Sequence, residues 1–144
     1  EDIDDESVIN AAKSAALYDT VMSFPAGFDT IVGEKGIVLS GGQKQRIVIA
    51  RALIKDPPIL LFDDPIGQLD TQTAAAIIET IRAISRKKTI IIASHRLSAI
   101  QFADNIIILE NGRLMESGTH NDLLASDGYY AKTYFIQNAE VFGK

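Results

Sequence analysis

The chain has 144 residues, 47% hydrophobic and 23% charged, which is typical of one globular domain with a buried core. A net charge of −5 argues against nucleic acid as a partner, because phosphate backbones attract basic surfaces. The absence of cysteine excludes disulfides and thiolate zinc sites. No apolar run approaches the roughly 18 residues that span a bilayer, and no signal-peptide pattern opens the chain. The acidic run at residues 1–6 is predicted to be a solvated first turn.

The first third of the chain alternates helical patterns with breakers. Apolar residues at helical spacing predict a helix over residues 7–22, which Pro25-Ala26-Gly27 ends. Residues 28–36 form a glycine-containing loop. A second helix is predicted over residues 40–55, and Asp56-Pro57-Pro58 stops it.

The middle of the chain predicts a βαβ unit. Residues 59–62 are apolar without alternation, which indicates a strand buried on both faces. A helix over residues 71–84 and a second buried strand over residues 89–93 follow. The two strands should be parallel with a right-handed crossover. Two strands cannot make a sheet with both faces covered, so we expect further strands before residue 1.

The last third predicts a hairpin and two short helices. Strands at residues 106–109 and 113–116 flank Asn111-Gly112, the strongest short hairpin signal. Helical patterns follow at residues 121–126 and 129–137.

Two glycines open the predicted helix that begins at Ser40-Gly41-Gly42-Gln43. Serine followed three residues later by glutamine has the spacing of a capping box, which is sufficient for a well-capped helix. A capped helix needs no glycine pair, however, and glycine costs about 1 kcal/mol in a helix. The alternative is that an anion reaches the backbone N–H groups at this helix start, which predicts a phosphate site.

Charged and titratable residues follow both predicted strands. Asp63 and Asp64 follow the first, at the edge where ligands bind in open α/β sheets and where an Asp holds Mg²⁺ in phosphate-handling proteins. An Asx turn leading to Pro65 is the alternative. His95 follows the second strand, at the same edge, which favours a role in catalysis over the structural role that a lone histidine usually has. His120 is predicted to cap a helix or to lie on the surface, and no zinc-ligand spacing occurs.

Four motifs in this order resemble those of the ATP-binding cassette (ABC) ATPases. LSGGQ at residues 39–43, followed by KQRIVIARAL, resembles the signature motif. Residues 59–64 resemble the Walker B strand, residues 67–70 the D-loop, and residues 94–96 the switch histidine. The resemblance covers essentially the whole chain, and the four motifs together are very specific.

Three further segments resemble the exporters of this family. Residues 28–36 resemble the X-loop region, which faces the transmembrane part of exporters, with Ile31 where a glutamate is often found. Residues 99–116 and the GTHNDLL segment resemble the exporter tail.

The resemblance implies an α/β fold with a P-loop NTPase-like parallel sheet, incomplete here, and flanking helices. It also implies the N-terminal part of the ABC helical subdomain. Residues 1–56 would form the helical signature subdomain, and residues 57–144 the C-terminal part of the α/β ATPase core. The protein would couple ATP hydrolysis to export at the cytoplasmic face of the cell membrane.

The resemblance also implies a shared ATP site. A second ABC ATPase domain would pack head to tail, and a transmembrane domain would contact the X-loop region. The signature residues would contact the γ-phosphate of ATP held by the partner: Ser40, Gly41, Gly42 and Gln43. Within the same chain, Asp63 would hold Mg²⁺, Asp64 would stand in the position of the catalytic glutamate, His95 would contact the γ-phosphate, and Asp70 would couple the two sites.

Two departures from the family pattern shape these expectations. No G-x-x-x-x-G-K-[ST] sequence occurs, so we expect the P-loop upstream of residue 1 in a longer protein and no ATP hydrolysis by this chain alone. Asp64 replaces the catalytic glutamate and is one methylene shorter. This resembles the degenerate half of a heterodimeric exporter.

Two alternatives stay open. An importer-type or soluble ABC ATPase is disfavoured by the exporter pattern of Gly33–Gly36 before the signature. A non-catalytic interaction module would be favoured if the chain truly began at residue 1 without a P-loop.

Overall fold

The computed structural model describes residues 3–33 and 36–142. The chain divides into two compact units, with the boundary between Ala93 and Ser94. The subdomain boundary predicted near residue 56 stays a prediction.

The first predicted helix is two helices, so the prediction of one helix over residues 7–22 is wrong. The α1 helix is Asp5–Ser14 and α2 is Tyr18–Met22, and Ala16 between them has a left-handed backbone (φ 50°). Side chains from elsewhere in the fold bind the carbonyls at this break. The Arg46 guanidinium donates to the Ala16 carbonyl, and the Thr80 hydroxyl donates to the Ser14 carbonyl at 2.8 Å. Such tertiary contacts override helical periodicity.

Asp4, in the acidic run at the start of the chain, caps α1 and is exposed, in agreement with the predicted solvated first turn. The Asp4 carboxylate accepts from the Ser7 backbone N–H and hydroxyl, both at 2.8 Å. These two bonds lower the pKa of Asp4. Residues 1 and 2 lie outside the described residues.

Helix α3 spans Gly41–Ile54, close to the prediction. It packs against α1, and its buried side chains are Ile49 and Ala50. Asp56 has a left-handed backbone (φ 45°) just after the helix, which turns the chain into the next strand. Before α3, a short 3-10 helix covers Gly27–Asp29.

The predicted βαβ unit is present. Strand β1 is Ile59–Asp63, α4 is Thr71–Ser85 and β2 is Thr89–Ala93. The strands are parallel, and their register runs from Ile59 opposite Thr89 to Asp63 opposite Ala93. Helix α4 buries the three residues that share one helical face, Ala74, Ile77 and Ile81.

The two strands are not buried on both faces, contrary to the prediction. Leu60 and Phe62 are buried, whereas 71% of Leu61 is exposed, and Ile59 and Ile91 are also exposed. The chain packs one face of this strand pair, and the apolar residues of the other face remain accessible.

The second unit begins with a 3-10 helix at Leu97–Ala99, followed by the predicted hairpin. Strands β3 (Ile106–Glu110) and β4 (Arg113–Gly118) are antiparallel, and the two turn residues between them have positive φ (49° and 74°), as a type I′ turn requires. Helix α5 is His120–Ala125, and α6 runs from Tyr129 to Phe142, beyond the predicted residue 137.

A small core holds the second unit together. It consists of Leu97, Ile106, Leu123 and Tyr130, and burial raises the pKa of the Tyr130 phenol. Across the described residues, no helix is both long and apolar enough to cross a membrane.

Candidate functional site

The start of α3 is a complete capping box, as the spacing of Ser40 and Gln43 predicts. The Gln43 backbone N–H donates to the Ser40 Oγ at 3.2 Å, and the Ser40 backbone N–H donates to the Gln43 Oε1 at 2.8 Å. The box gives the helix a defined first residue, Gly41. It fixes the backbone N–H groups of the first turn at the positive end of the helix dipole.

A pocket of about 420 Å³ lies at this helix start. It brings together all four predicted signature residues and the predicted coupling residue Asp70. The remaining lining residues are Arg46, Gln68, Leu69 and Thr73. The pocket therefore lies between the start of α3 and the loop that leads into α4.

The structure gives a second reason for one glycine of the pair, which the sequence did not reveal. A Cβ atom on Gly42 would lie 2.9 Å from the Gln68 carbonyl oxygen and 3.3 Å from the Leu69 Cδ2. A Cβ atom on Gly41 would lie 2.2 Å from the Gln68 Oε1, the end of a flexible side chain. Gly42 thus admits the backbone of the loop after β1 at Gln68, a residue with no sequence-based role.

Asp63 and Asp64, the two carboxylates at the end of β1, have different surroundings. Asp63 is the last residue of β1 and is exposed. Asp64 is half-buried with a left-handed backbone (φ 43°), and its N–H donates to the Ala93 carbonyl at 2.7 Å. Its Oδ2 would lie 1.9 Å from a Cβ on Gly67, so a side chain at residue 67 would have to displace the Asp64 carboxylate. The Asp64 carboxylate is therefore turned over its own loop.

Asp70 is the N-cap of α4, a role that its D-loop position did not suggest. Its carboxylate accepts from the Thr73 backbone N–H at 2.9 Å and from the Thr73 hydroxyl at 2.7 Å. These bonds stabilise the ionised form and lower the pKa of Asp70. Two hydrogen bonds thus fix the negatively charged Asp70 carboxylate at this edge of the pocket.

Gln45 bonds the loop beside the pocket, a contact that the sequence did not predict. Its Nε2 donates to the Asp64 carbonyl at 2.5 Å, and its Oε1 accepts from the Gln68 backbone N–H at 3.2 Å. Glutamine is an ordinary residue inside a helix, so its position in the sequence carried no signal.

His95 lies in the second unit, two residues after the end of β2, and its side chain is exposed. A second glutamine fixes its backbone. Gln137 of α6 donates from Nε2 to the His95 carbonyl at 2.8 Å and accepts from the Leu97 N–H at 2.9 Å through Oε1.

His120 is not the cap of α5, so that part of the prediction is wrong. The cap of α5 is Thr119, whose hydroxyl accepts from the Asp122 N–H at 3.3 Å. His120 is half-buried, and its Nδ1 lies 2.7 Å from the Tyr130 hydroxyl. The Tyr130 and Tyr134 rings pack edge-on against it, which accounts for its partial burial.

Comparison with known proteins agrees with the motifs. The sequence profile of the ABC transporter family matches residues 3–67. An ATM1-type heavy metal exporter of Novosphingobium aromaticivorans is 52% identical over 130 residues, which are 90% of this chain and 21% of the exporter. The solved structure of a bacterial Atm1-family ABC exporter with ATP bound superposes with a TM-score of 0.89, at 48% identity over 96% of this chain.

These matches confirm the resemblance to the ABC transporter family. A multidrug export ATP-binding/permease protein of Staphylococcus aureus is also similar, with 47% identity over 134 residues, 93% of this chain. The fold is that of a segment of an ABC ATPase domain, and the relatives are of exporter type. The chain spans between a fifth and a quarter of the length of these ABC proteins, from 21% to 24%.

Proposed function

We propose that this chain is part of the nucleotide-binding domain of an ABC exporter and that it completes an ATP site on a second ATPase domain. The observation that carries this proposal is the pocket at the start of α3. There an exposed serine, two glycines and a capped helix start face one cavity. Backbone N–H groups at a helix start bind phosphate oxygens, and glycines let those oxygens approach.

The pocket supports a shared site rather than a self-sufficient one. It contains one end of a helix, the Asp70 carboxylate and the Arg46 guanidinium, and the last two charges offset each other toward an anion. The chain has no P-loop sequence to supply the lysine that reaches the β- and γ-phosphates. We therefore place the nucleotide mainly on the partner domain, with the Ser40-Gly41-Gly42-Gln43 segment closing over its γ-phosphate.

The second half of the proposal concerns groups that act on the chain's own nucleotide. Asp63 is exposed at the end of β1, so its carboxylate is available as an Mg²⁺ ligand. In the part of the chain described, no group of three or more acidic or histidine side chains could hold a metal alone. That fits Mg²⁺, which takes one or two carboxylates and completes its shell with water and phosphate oxygens. Mg²⁺ would neutralise charge on the phosphates, and His95 would contact the γ-phosphate.

We further propose that the chain's own ATP site is the slow one of a heterodimer. Asp64 is shorter than glutamate by a methylene group, and its carboxylate is turned over Gly67. A displacement of about 1 Å of a catalytic group can cost about 100-fold in rate. The signature segment shows no such defect, so this chain would serve the partner's fast site.

The proposed contact with the transmembrane domain is the loop at residues 28–36. Its described residues include three exposed apolar side chains: Phe28, Ile31 and Val32. Exposed apolar patches on a soluble domain commonly mark interaction sites. Glu34 and Lys35, which belong to the same expectation, lie outside the described residues. The surface would lie at the cytoplasmic face of the membrane.

The experiment measures ATP turnover and transport by the complete transporter with three single substitutions. Ser40→Asp keeps a good N-cap but places a carboxylate where the γ-phosphate would lie. We expect it to lower turnover about 100-fold while the protein stays folded. Ser40→Ala tests loss of the hydroxyl, and Asp64→Asn tests the chain's own site and should lower turnover much less.

Two results would count against the proposal. Full turnover with Ser40→Asp would remove the signature segment from the ATP site. Equal losses from Ser40→Asp and Asp64→Asn would leave the shared site standing but contradict the division into a fast and a slow site.

A further inference from the structure

One side chain joins the signature helix to the loop after β1. Gln45, in the second turn of α3, donates to the Asp64 carbonyl at 2.5 Å and accepts from the Gln68 N–H at 3.2 Å. The two partners lie four residues apart, at the start of the loop and next to its end. The Nε2 and the Oε1 of one side-chain amide therefore both form hydrogen bonds with the same loop.

The partners fix the orientation of this amide. A carbonyl oxygen can only accept, and a backbone N–H can only donate, so the Gln45 Nε2 must face Asp64 and its Oε1 must face Gln68. A flipped amide would put two acceptors together at one end and two donors at the other. Glutamine thus fits this place as a donor and an acceptor at once, which neither an aliphatic side chain nor a carboxylate can supply.

The Asp64 carbonyl also holds the loop from within. The Gly67 N–H donates to it at 3.1 Å, so one oxygen receives a bond from α3 and a bond from its own turn. The close approach of the Gln68 carbonyl to Gly42 brings the same loop against the first turn of α3. Gln45 adds two hydrogen bonds to that contact between α3 and the loop.

We infer that Gln45 is a positioning residue that fixes the loop from Asp64 to Asp70 on α3. This contact fixes the position of the Asp64 side chain relative to the helix start at Ser40. The consequence for the ATP sites rests on the proposed function, in which Ser40 acts on the partner's nucleotide and Asp64 acts on the chain's own. Gln45 would then make the two ATP sites respond to one movement.

The clamp itself is tested on the 144-residue chain without nucleotide, by amide hydrogen exchange. Gln45→Met has a similar length but neither donor nor acceptor. We expect the Gln68 amide to exchange at least about tenfold faster in this variant, because its bond is gone. Gln72→Met, at an exposed position on α4, is the matched control and should leave that amide unchanged.

Gln45→Glu separates the two bonds. The carboxylate still accepts from the Gln68 N–H, so protection of that amide should persist at neutral pH. Its other oxygen faces the Asp64 carbonyl and repels it, so the Gly67 amide should exchange faster. Lowering the pH protonates the new carboxyl group and returns a donor, and the Gly67 protection should recover relative to the original chain at the same pH.

Unchanged Gln68 exchange in Gln45→Met would overturn the clamp whatever the nucleotide experiments show. If that variant does not fold, absence of the pH-dependent recovery in Gln45→Glu would overturn it equally. In the complete transporter, we expect Gln45→Met to lower kcat for ATP about tenfold with little change in KM. An unchanged kcat beside a lost clamp would overturn the coupling, whereas the Ser40 variants decide the shared site separately.

Discussion

Gly41 and Gly42 are adjacent residues of the signature segment with different surroundings. A side chain on Gly41 would meet only the end of the flexible Gln68 side chain, whereas one on Gly42 would meet the Gln68 backbone. Alanine favours a helix over glycine by about 1 kcal/mol. We expect Gly41→Ala to leave the free energy of unfolding unchanged or slightly raised, and Gly42→Ala to lower it by about 1–3 kcal/mol because backbone must move.

Chemical denaturation of the two variants checks this difference. Equal stabilities would show that the Gln68 carbonyl does not limit the space beside Gly42. A loss of transport in Gly41→Ala without a loss of stability would instead locate the nucleotide contact of the glycine pair.

Asp70 links a pocket residue to the stability of α4 through its charge. Its pKa is lowered by the Thr73 N–H and hydroxyl, so its contribution to stability is present above the ordinary value of 3.8 and is lost as the pH falls through the lowered folded-state pKa. Asparagine is also a good N-cap but does not titrate. We expect Asp70→Asn to weaken the dependence of stability on pH below the ordinary pKa and to change stability little near pH 7.

Urea denaturation of the original chain and of Asp70→Asn, each at several acidic pH values, measures this slope. An identical slope for both chains would mean that the Thr73 bonds do not shift the titration of Asp70.

At the scale of elements, local chemistry predicted the structure where local chemistry decides it. The capping box at Ser40, the Asn111-Gly112 turn and the βαβ order all follow from side chains within a few residues. The break between α1 and α2 does not, because Arg46 and Thr80 bind its carbonyls from distant parts of the chain. No sequence pattern marks such a partner.

The candidate site divides in the same way. Its residue types and spacing were predictable, and the pocket gathers Ser40 with Gly41, Gly42, Gln43 and Asp70. The two glutamines that hold the loops, Gln45 and Gln137, were not. Their role depends on which backbone groups the fold brings to each end of an amide, which no helical pattern encodes.

Helix α6 forms hydrogen bonds to the segment that carries His95 through the Gln137 side chain. Gln137 holds both the His95 carbonyl and the Leu97 N–H. We expect Gln137→Met to speed hydrogen exchange of the Leu97 amide at least about tenfold, because this bond is lost. The same change at the exposed Gln101 is the control.

If Leu97 exchange is the same in Gln137→Met and Gln101→Met, the Gln137 hydrogen bonds do not position this segment. Should the expected difference appear, the His95 side-chain resonances provide a second readout, because a loosened backbone gives its imidazole more freedom.

At the scale of the whole molecule, the chain carries two incomplete sets of groups that we propose bind nucleotide. One set is the helix start and pocket around Ser40, and the other is the pair of carboxylates at the end of β1. Neither includes a P-loop sequence, whose backbone and lysine hold the β- and γ-phosphates in P-loop ATPases. A site that holds phosphate from one side only gains little binding energy.

We therefore expect the isolated 144-residue chain to bind ATP weakly or not at all and to hydrolyse none above background. Calorimetry measures the binding, and phosphate release measures the turnover. The chain with Asp63→Asn is the control for contaminating ATPases, because they are indifferent to this substitution. Turnover that exceeds background and disappears in Asp63→Asn would contradict the expectation, since it would show that the strand-end carboxylate works without a P-loop. Turnover that persists in Asp63→Asn would come from another protein. Comparing the ATP turnover of the complete transporter with that of the isolated chain then measures what the P-loop and the other phosphate-binding groups add.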